Sequence, residues 1–548
     1  MGIVECRQET KELEMKLSIR SKALRPLLAL GLGAALTIVP IGVSANSAHA
    51  ASNGGVLKIA FSSDPSTFDP QVCYDATCWD NMEMLFNRLY DYSPGGTDLL
   101  PQAAVSMPTI SKNKLTYTVN LRAGMKFADG KPVTATDVAY TFSRICDPAT
   151  KSPVVSFWNA VKGCEEFAKS PVGTVSGISV KSATQLTITL VQPNSAFVYV
   201  MAMPHASIIP QGTGSQQALK PLGSGPFKFV SFTPGQSIIL TKNSSYWNTG
   251  HPLLEGVNEA LGVSPEVQLL QLQKGDLDLM GDKLPNSSFL SVINDKKLAA
   301  QISHRVGLST YFLTLNTKMK PFDNPLVREA VSYAIDRSAL LRAVNDQGDP
   351  ATGFIPPGVT GYVKTSMVNG LNVAKAKSLL AKAGFAKGFT TDLYSWNTQP
   401  WTNLDAVIQQ QLAAIGIKIN IKAVQMSTFF AAAATPGKTP MTLTFWIADY
   451  PDGSDFFQAL LGCASAIPGG QNYPFYCNKK FDDTVNAGLA NASQVESYYE
   501  RAAKMMQKDN PVIPLYFGKN TTVFGSNVGN FVENPIWGYM ISNYSLKG

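Results

Sequence analysis

Between Leu404 and Ile421 the chain changes rhythm in one step, and that change limits the possible folds more than any other feature. Leu404, Val407, Ile408, Leu412 and Ile415 recur at helical spacing, Gly416 supplies a stop, and Ile417, Ile419 and Ile421 follow at strand spacing. The same helix-then-strand order runs through the C-terminal half. Asn324 is placed to cap a helix begun by Pro325, in which Ala330, Val331, Ala334 and Ile335 share a face, and a further helix is expected from Asn372 to a stop at Gly384. The apolar run Met441 to Ala448 reads as a buried strand ending at Asp449. Helices alternating with strands imply a sheet with crossover helices.

The preceding zone, Gly55 to about Lys242, reads mainly as strands. Leu115, Tyr117, Val119 and Leu121 alternate with polar residues, as do Leu186, Ile188 and Leu190, and one helix opens at Thr134 or Thr136 and continues through Val138, Phe142 and Ile145. We therefore expect two α/β lobes, the chain crossing near Gly307 to Leu315 and returning near Pro514 to Thr522. The expected boundaries are lobe I at 51–310 plus 522–548, including a β-rich subdomain, and lobe II at 311–521.

With 548 residues, 45% of them apolar and 16% charged, the chain is long enough for several cores and excludes disorder or a small disulfide scaffold. The net charge of +7 lies along the chain without a Lys/Arg block, which argues against nucleic acid as a partner. Lys16, Arg20, Lys22 and Arg25 precede an apolar stretch from Leu27 to Val43 and the small-residue pattern Ala48-His49-Ala50, so 1–50 reads as a signal peptide for export, with translation starting at Met15. No cysteine follows the stretch at a cleavage site, which argues against a lipid anchor and leaves periplasm or cell surface as destinations. Six cysteines lie beyond it, close in sequence as Cys73 with Cys78, Cys146 with Cys164 and Cys463 with Cys477. Export makes disulfides the expected state, and sequence proximity alone favours the local set among the possible pairings. The chain has no C-x-x-C pair, and beyond residue 50 only His205, His251 and His304, so no metal or cofactor site is expected.

Nucleotide and acyl-transfer chemistry leave no trace. The sequence holds neither G-x-x-x-x-G-K-S/T nor G-x-S-x-G, so energy for any transport must come from another subunit. Gly223-Ser224-Gly225-Pro226 reads as a tight crossing before a strand, and His205, beside Pro204, as a loop residue rather than a base. No catalytic residue is expected.

Asp449 is the most informative position. Ligands of open α/β lobes gather beyond the C-terminal ends of strands. A carboxylate in a closing, water-poor cleft is costly alone and is relieved by an incoming ammonium group. The competing reading is that Asp449 caps the turn formed with Pro451, Asp452 and Gly453.

Four segments together carry a family resemblance: Leu115 to Phe142 (LTYTVNLRAGMKFADGKPVTATDVAYTF), Pro221 to Phe229 (PLGSGPFKF), Leu315 to Arg337 (LNTKMKPFDNPLVREAVSYAIDR) and Trp446 to Phe457 (WIADYPDGSDFF). In this order they resemble the family 5 extracellular solute-binding proteins, the dipeptide, oligopeptide and nickel receptors of ABC importers. The resemblance implies an α/β, periplasmic-binding-protein-like fold of type II, cluster C. It has two lobes, with an extra subdomain in the larger, closing on ligand about a hinge. It implies, too, a peptide or other small-molecule ligand, permease and separate ATPase subunits as partners, and a monomer. In peptide-binding members an aspartate three residues after the Trp pairs with the peptide amino terminus, which assigns that role to Asp449, with Trp446 and Tyr450 beside it. Ser224 and Gly225 fall where the family lets backbone meet ligand.

Other lining candidates are Tyr516 and Phe517 in the returning hinge strand, and Tyr74, Trp396 and Trp401 as aromatic surfaces. Leu443 stands where some oligopeptide receptors of the family carry an arginine for the peptide carboxylate, and Met426 where a tryptophan is common, so the resemblance does not assign recognition of the carboxyl end. An oligosaccharide or nickel chelate as ligand, or an exported hydrolase, are the alternative readings.

Overall fold

The structure is a computed structural model that describes residues 54–547; the segment read as a signal peptide, and Met15 as its start, lie outside them. Three larger sheets organise the chain. The first has five strands in the order Leu279–Met280, Val56–Ala60, Gly256–Ala260, Ser237–Lys242, Phe227–Thr233. Its Val56–Ala60 strand is parallel to both neighbours, and the rest is antiparallel. The second has four antiparallel strands, including Thr116–Asn120 and Gln185–Thr189, whose inward residues Tyr117, Val119, Leu186 and Ile188 are buried. This confirms the alternation read from the sequence. The helix Ala135–Cys146 opens with the Thr134 hydroxyl and backbone N–H both donating to Asp137.

The third sheet has six strands in the order Gly348–Pro350, Val512–Val523, Ile302–Leu315, Met441–Ile447, Phe389–Trp396, Ile417–Val424. Phe389–Trp396 and Ile417–Val424 are parallel and joined by the helix Trp401–Ala413. Leu404, Ile408 and Leu412 of that helix are fully buried against the sheet. Gly416 has φ +91°, the left-handed conformation that ends the helix and turns the chain directly into the strand. Asn324 and Asn372 cap the helices Pro325–Ala334 and Val373–Lys382 by accepting from Leu326 N and Lys375 N. Met441–Ile447 lies between two neighbours, which explains its unbroken apolar run.

Two long strands link the first and third sheets. Ile302–Leu315 and Val512–Val523 pair antiparallel, with register shifts between Val306 and Thr310 and between Tyr311 and Phe312. Beyond Val523, Phe524 bridges to Leu279 at the edge of the five-stranded sheet. The cysteines form the three local disulfides, Cys73–Cys78, Cys146–Cys164 and Cys463–Cys477. Among the described residues no helix is long and apolar enough to cross a membrane.

Candidate functional site

The strand Met441–Ile447 delivers the candidate carboxylate. Ile447 pairs with Ser309, and Ala448 N–H donates to Leu308 O at 2.8 Å, so the chain stays pinned to the long linking strand one residue past the end of the ladder. Asp449 comes next, and it is 4% exposed. Its backbone N–H donates to Asp455 Oδ2 at 3.1 Å, and Trp446 Nε1 donates to the same oxygen at 2.9 Å. Trp446 and Asp449 are thus held together by a third residue, Asp455, itself fully buried, whose Oδ1 has no hydrogen-bond partner.

The cap of the following helix, Gly453–Leu461, is Asp452 and not Asp449: Asp452 accepts from Ser454 N at 2.9 Å and from the Tyr499 hydroxyl at 2.6 Å. That frees the Asp449 carboxylate from the turn. Its Oδ2 accepts instead from the Tyr74 hydroxyl at 2.7 Å, a contact spanning 375 positions of sequence. Tyr74 sits between Cys73 and Cys78, just ahead of the helix Ala76–Leu85; the residue is 37% exposed, with its hydroxyl on Asp449. The contact joins the segment after the Val56–Ala60 strand of the five-stranded sheet to the end of a strand of the six-stranded one.

Burial pushes the Asp449 carboxyl up to about 7, with the Tyr74 hydrogen bond acting in the opposite sense. Burial raises Asp455 as well, and the nearby Asp449 charge raises it further. Two acids this close and this dry do not both ionise readily. Among the described residues no lysine or arginine pairs with Asp449; its one side-chain hydrogen bond there is from Tyr74. The site is, among the described residues, a carboxylate without a cation.

The other candidate residues lie apart from this pair. Tyr450 is buried against Phe157 and Tyr199, with its hydroxyl 3.2 Å from Ser454 Oγ. Ser224 is buried and its hydroxyl donates to Asn87 Oδ1 at 3.2 Å. Gly225 spends its backbone internally, donating to Leu85 O at 3.0 Å and accepting from Asn243 Nδ2 at 2.8 Å. Tyr516 stacks on Tyr311 with ring centroids 4.3 Å apart, and Phe517 is buried edge-on to Tyr362. Trp396 and Trp401, 4.7 Å apart, join Phe445 and Phe430 in an aromatic group at the end of Phe389–Trp396; Trp396 Nε1 has no partner there. Leu443 is fully buried in the helix-covered core and Met426 is exposed. A cavity of about 110 Å³ beside Cys463 is lined by Phe457, Phe481, Asp482 and Val485 and contains none of the candidates; it is a gap in helix packing.

Sequence reasoning missed Asp455. An acid in the first turn of a helix is ordinarily explained by the helix dipole, so its spacing carried no distinguishing signal. It missed equally that His205 and Trp79 pack on the Tyr74 ring, at 5.5 and 6.0 Å.

Known proteins share this architecture. The glutathione-binding protein GsiB of Escherichia coli O6:K15:H31 (strain 536 / UPEC) is 28% identical over 540 residues, covering 95% of this chain and 98% of that protein. The periplasmic binding protein DppA of Helicobacter pylori, solved in complex with the peptide STSA, superposes with a TM-score of 0.77 at 25% identity over 90% of this chain and 98% of its own. The clavulanic acid biosynthesis oligopeptide binding protein 2 has the same fold, with a TM-score of 0.84 at 21% identity over 90% of this chain and 96% of its own. The two-lobed, type II binding-protein fold expected from the resemblance is therefore the fold observed. Residues 98–467 match the profile for the middle part of one family, and on that match the chain belongs to the bacterial extracellular solute-binding proteins, family 5.

Proposed function

We propose that this protein is the receptor of an ABC importer and encloses a short peptide or similar amine-bearing solute, whose ammonium group pairs with Asp449. One observation carries the reading: Asp449, 4% exposed at the end of a central strand, accepts from a tyrosine hydroxyl, lies beside a second buried acid and has no cation paired with it among the described residues. Leaving such a charge unpaired is expensive, and an ammonium ligand removes the cost. The ligands for which two relatives are named, glutathione for GsiB and the peptide STSA for DppA, both carry a primary amine.

In this reading lobe I comprises 51–310 with 522–548 and lobe II 311–521, and the strands Ile302–Leu315 and Val512–Val523 carry the hinge. Tyr74 and Asp449 face each other across the cleft, so a ligand that replaces the hydroxyl with a cation touches both lobes and favours the closed state. The receptor works as an exported monomer, in the periplasm or at the cell surface, and hands its cargo to permease subunits driven by separate ATPases. Trp396, Trp401 and Phe445 offer an aromatic wall to ligand side chains, and Trp446 positions the acid through Asp455.

Mass spectrometry of solute extracted from natively purified protein tests the reading. Recovery of amine-bearing peptides is expected; recovery of sugars or metal chelates alone overturns it.

A further inference from the structure

Behind the Tyr74 ring lie polar atoms that the amine contact does not use. His205, in the turn Pro204–Ala206, is fully buried, and its ring lies 5.5 Å from Tyr74 and 6.1 Å from Trp79. Neither of its ring nitrogens closes a hydrogen bond, and neither does the indole Nε1 of Trp79, although all three atoms are shut off from solvent. Burial holds the ring neutral by lowering it to about 3, against a smaller opposite effect of the Cys73 backbone. The turn itself is rigid. Gln71 Nε2 donates to His205 O and Ser207 O, both at 3.1 Å, while Gln71 Oε1 accepts from Arg144, which also forms a bidentate pair with Asp69.

A buried donor left without a partner destabilises the fold that holds it. Here such donors are clustered on a fixed turn and against the ring whose hydroxyl holds Asp449. They are neutral N–H groups, and among the described residues no cation pairs with Asp449. A ligand carboxylate placed here would lie close to the buried Asp449 and Asp455 acids and meet only neutral N–H groups, the ligand ammonium being already paired with Asp449. An amide carbonyl brings no charge and accepts two hydrogen bonds.

We propose that Trp79 and His205 form a second polar subsite, in which their N–H groups bind the first amide carbonyl of an α-peptide whose ammonium has displaced Tyr74 from Asp449. The inference rests on the amine reading of Asp449 and extends it to a ligand class. Ordinary α-peptides carry an amide carbonyl next to the ammonium-bearing carbon. Glutathione carries a free carboxylate there, because its first amide leaves from the side chain. This receptor therefore prefers α-peptides to γ-glutamyl compounds, whatever its likeness to a glutathione-binding relative.

Calorimetry with trialanine and glutathione as probes tests this, on the full chain and on Trp79→Phe, His205→Phe and Asp449→Asn. Trialanine is expected to bind at least about tenfold more tightly than glutathione, and each ring substitution to weaken trialanine by about tenfold, as for one lost buried hydrogen bond. The Trp79 indole proton should move downfield on trialanine binding. Should His205→Phe fail to fold, Trp79→Phe and the indole proton decide alone. Tighter binding of glutathione, or wild-type affinity in Trp79→Phe with an unmoved indole proton, overturns the subsite and leaves the Asp449 reading intact. Unchanged binding by Asp449→Asn overturns the amine reading itself, and silence of the wild type towards both probes overturns the two together.

Discussion

At the scale of single residues, Asp449 sets the strongest expectations. Asp449→Asn keeps the shape and removes the charge, and should weaken binding of an amine-bearing peptide by about 2–5 kcal/mol, as for a desolvated charge pair that loses one member; an unchanged Kd in calorimetry excludes the role. The pH dependence has a definite sign. Burial raises the carboxyl to about 7 in the unliganded protein, and an ammonium favours its ionised form, so binding takes a proton off the acid. Affinity should then fall as pH drops below about 7, approaching tenfold per pH unit for one coupled proton. Because the Tyr74 hydrogen bond lowers this carboxyl, Tyr74→Phe should move the midpoint of that profile upward. A midpoint that stays put or moves down would mean that the hydroxyl does not govern the acid. Asp449 is legible in the sequence because it ends an apolar run that can only be a buried strand. Tyr74 is legible only as an aromatic residue between two cysteines. Its partner lies 375 positions away, and no local pattern encodes a contact made by the packing of two sheets.

Among the elements, those announced by local chemistry are the legible ones. Asn324 before Pro325, Asn372 ahead of its helix, and Gly416 between helix and strand each fix a boundary through one side chain or one backbone angle, and the structure places all three as expected. Facing is less legible. Tyr516 and Phe517 alternate along one strand, so period alone cannot say that both end buried in aromatic packing. The Asp452 cap shows what an element end is worth. Asp452→Ala removes the N-cap of Gly453–Leu461 and strands the buried Tyr499 hydroxyl, for a combined loss of about 2–4 kcal/mol. Chemical denaturation should show that loss with little change in slope; a loss below about 1 kcal/mol would mean that the cap is replaced by its neighbours. Gly225 tests a different limit. A Cβ there would lie 2.4 Å from Leu85 C and 2.6 Å from Met84 O, both backbone atoms that cannot step aside. Gly225→Ala should destabilise by about 3 kcal/mol or more as an overpacked site, and a near-neutral effect would show that the crossing before Phe227–Thr233 is looser than its contacts.

Across the whole molecule, buried acids accumulate. Burial is the leading cause that raises Asp80, Glu83, Glu259, Asp405, Asp449, Asp452 and Asp455, with Glu83 at about 7, Glu259 at about 8 and Asp405 at about 6. A carboxyl whose folded value lies above its unfolded one contributes stability that is fully present below about pH 4 and is lost as pH rises through the folded value. His205 acts oppositely: its folded value is depressed to about 3, so its contribution is present above about 6.5 and lost as pH falls. The acids outnumber it, and all seven are raised. The unliganded protein should therefore melt at a higher temperature near pH 5 than near pH 8, the reverse of a protein whose carboxylates are held in salt bridges. A bound ammonium removes the Asp449 share of the decline, so a saturating amine-bearing peptide should raise the melting temperature more at pH 8 than at pH 5. Asp449→Asn should flatten part of the unliganded slope and abolish the extra gain from ligand at pH 8. Scanning calorimetry across this range separates the two contributions, because the first needs only the buried acids and the second needs the amine. A melting temperature that climbs steadily from pH 5 to 8 without ligand would show that the acids are solvated, and with them the carboxylate on which closure depends.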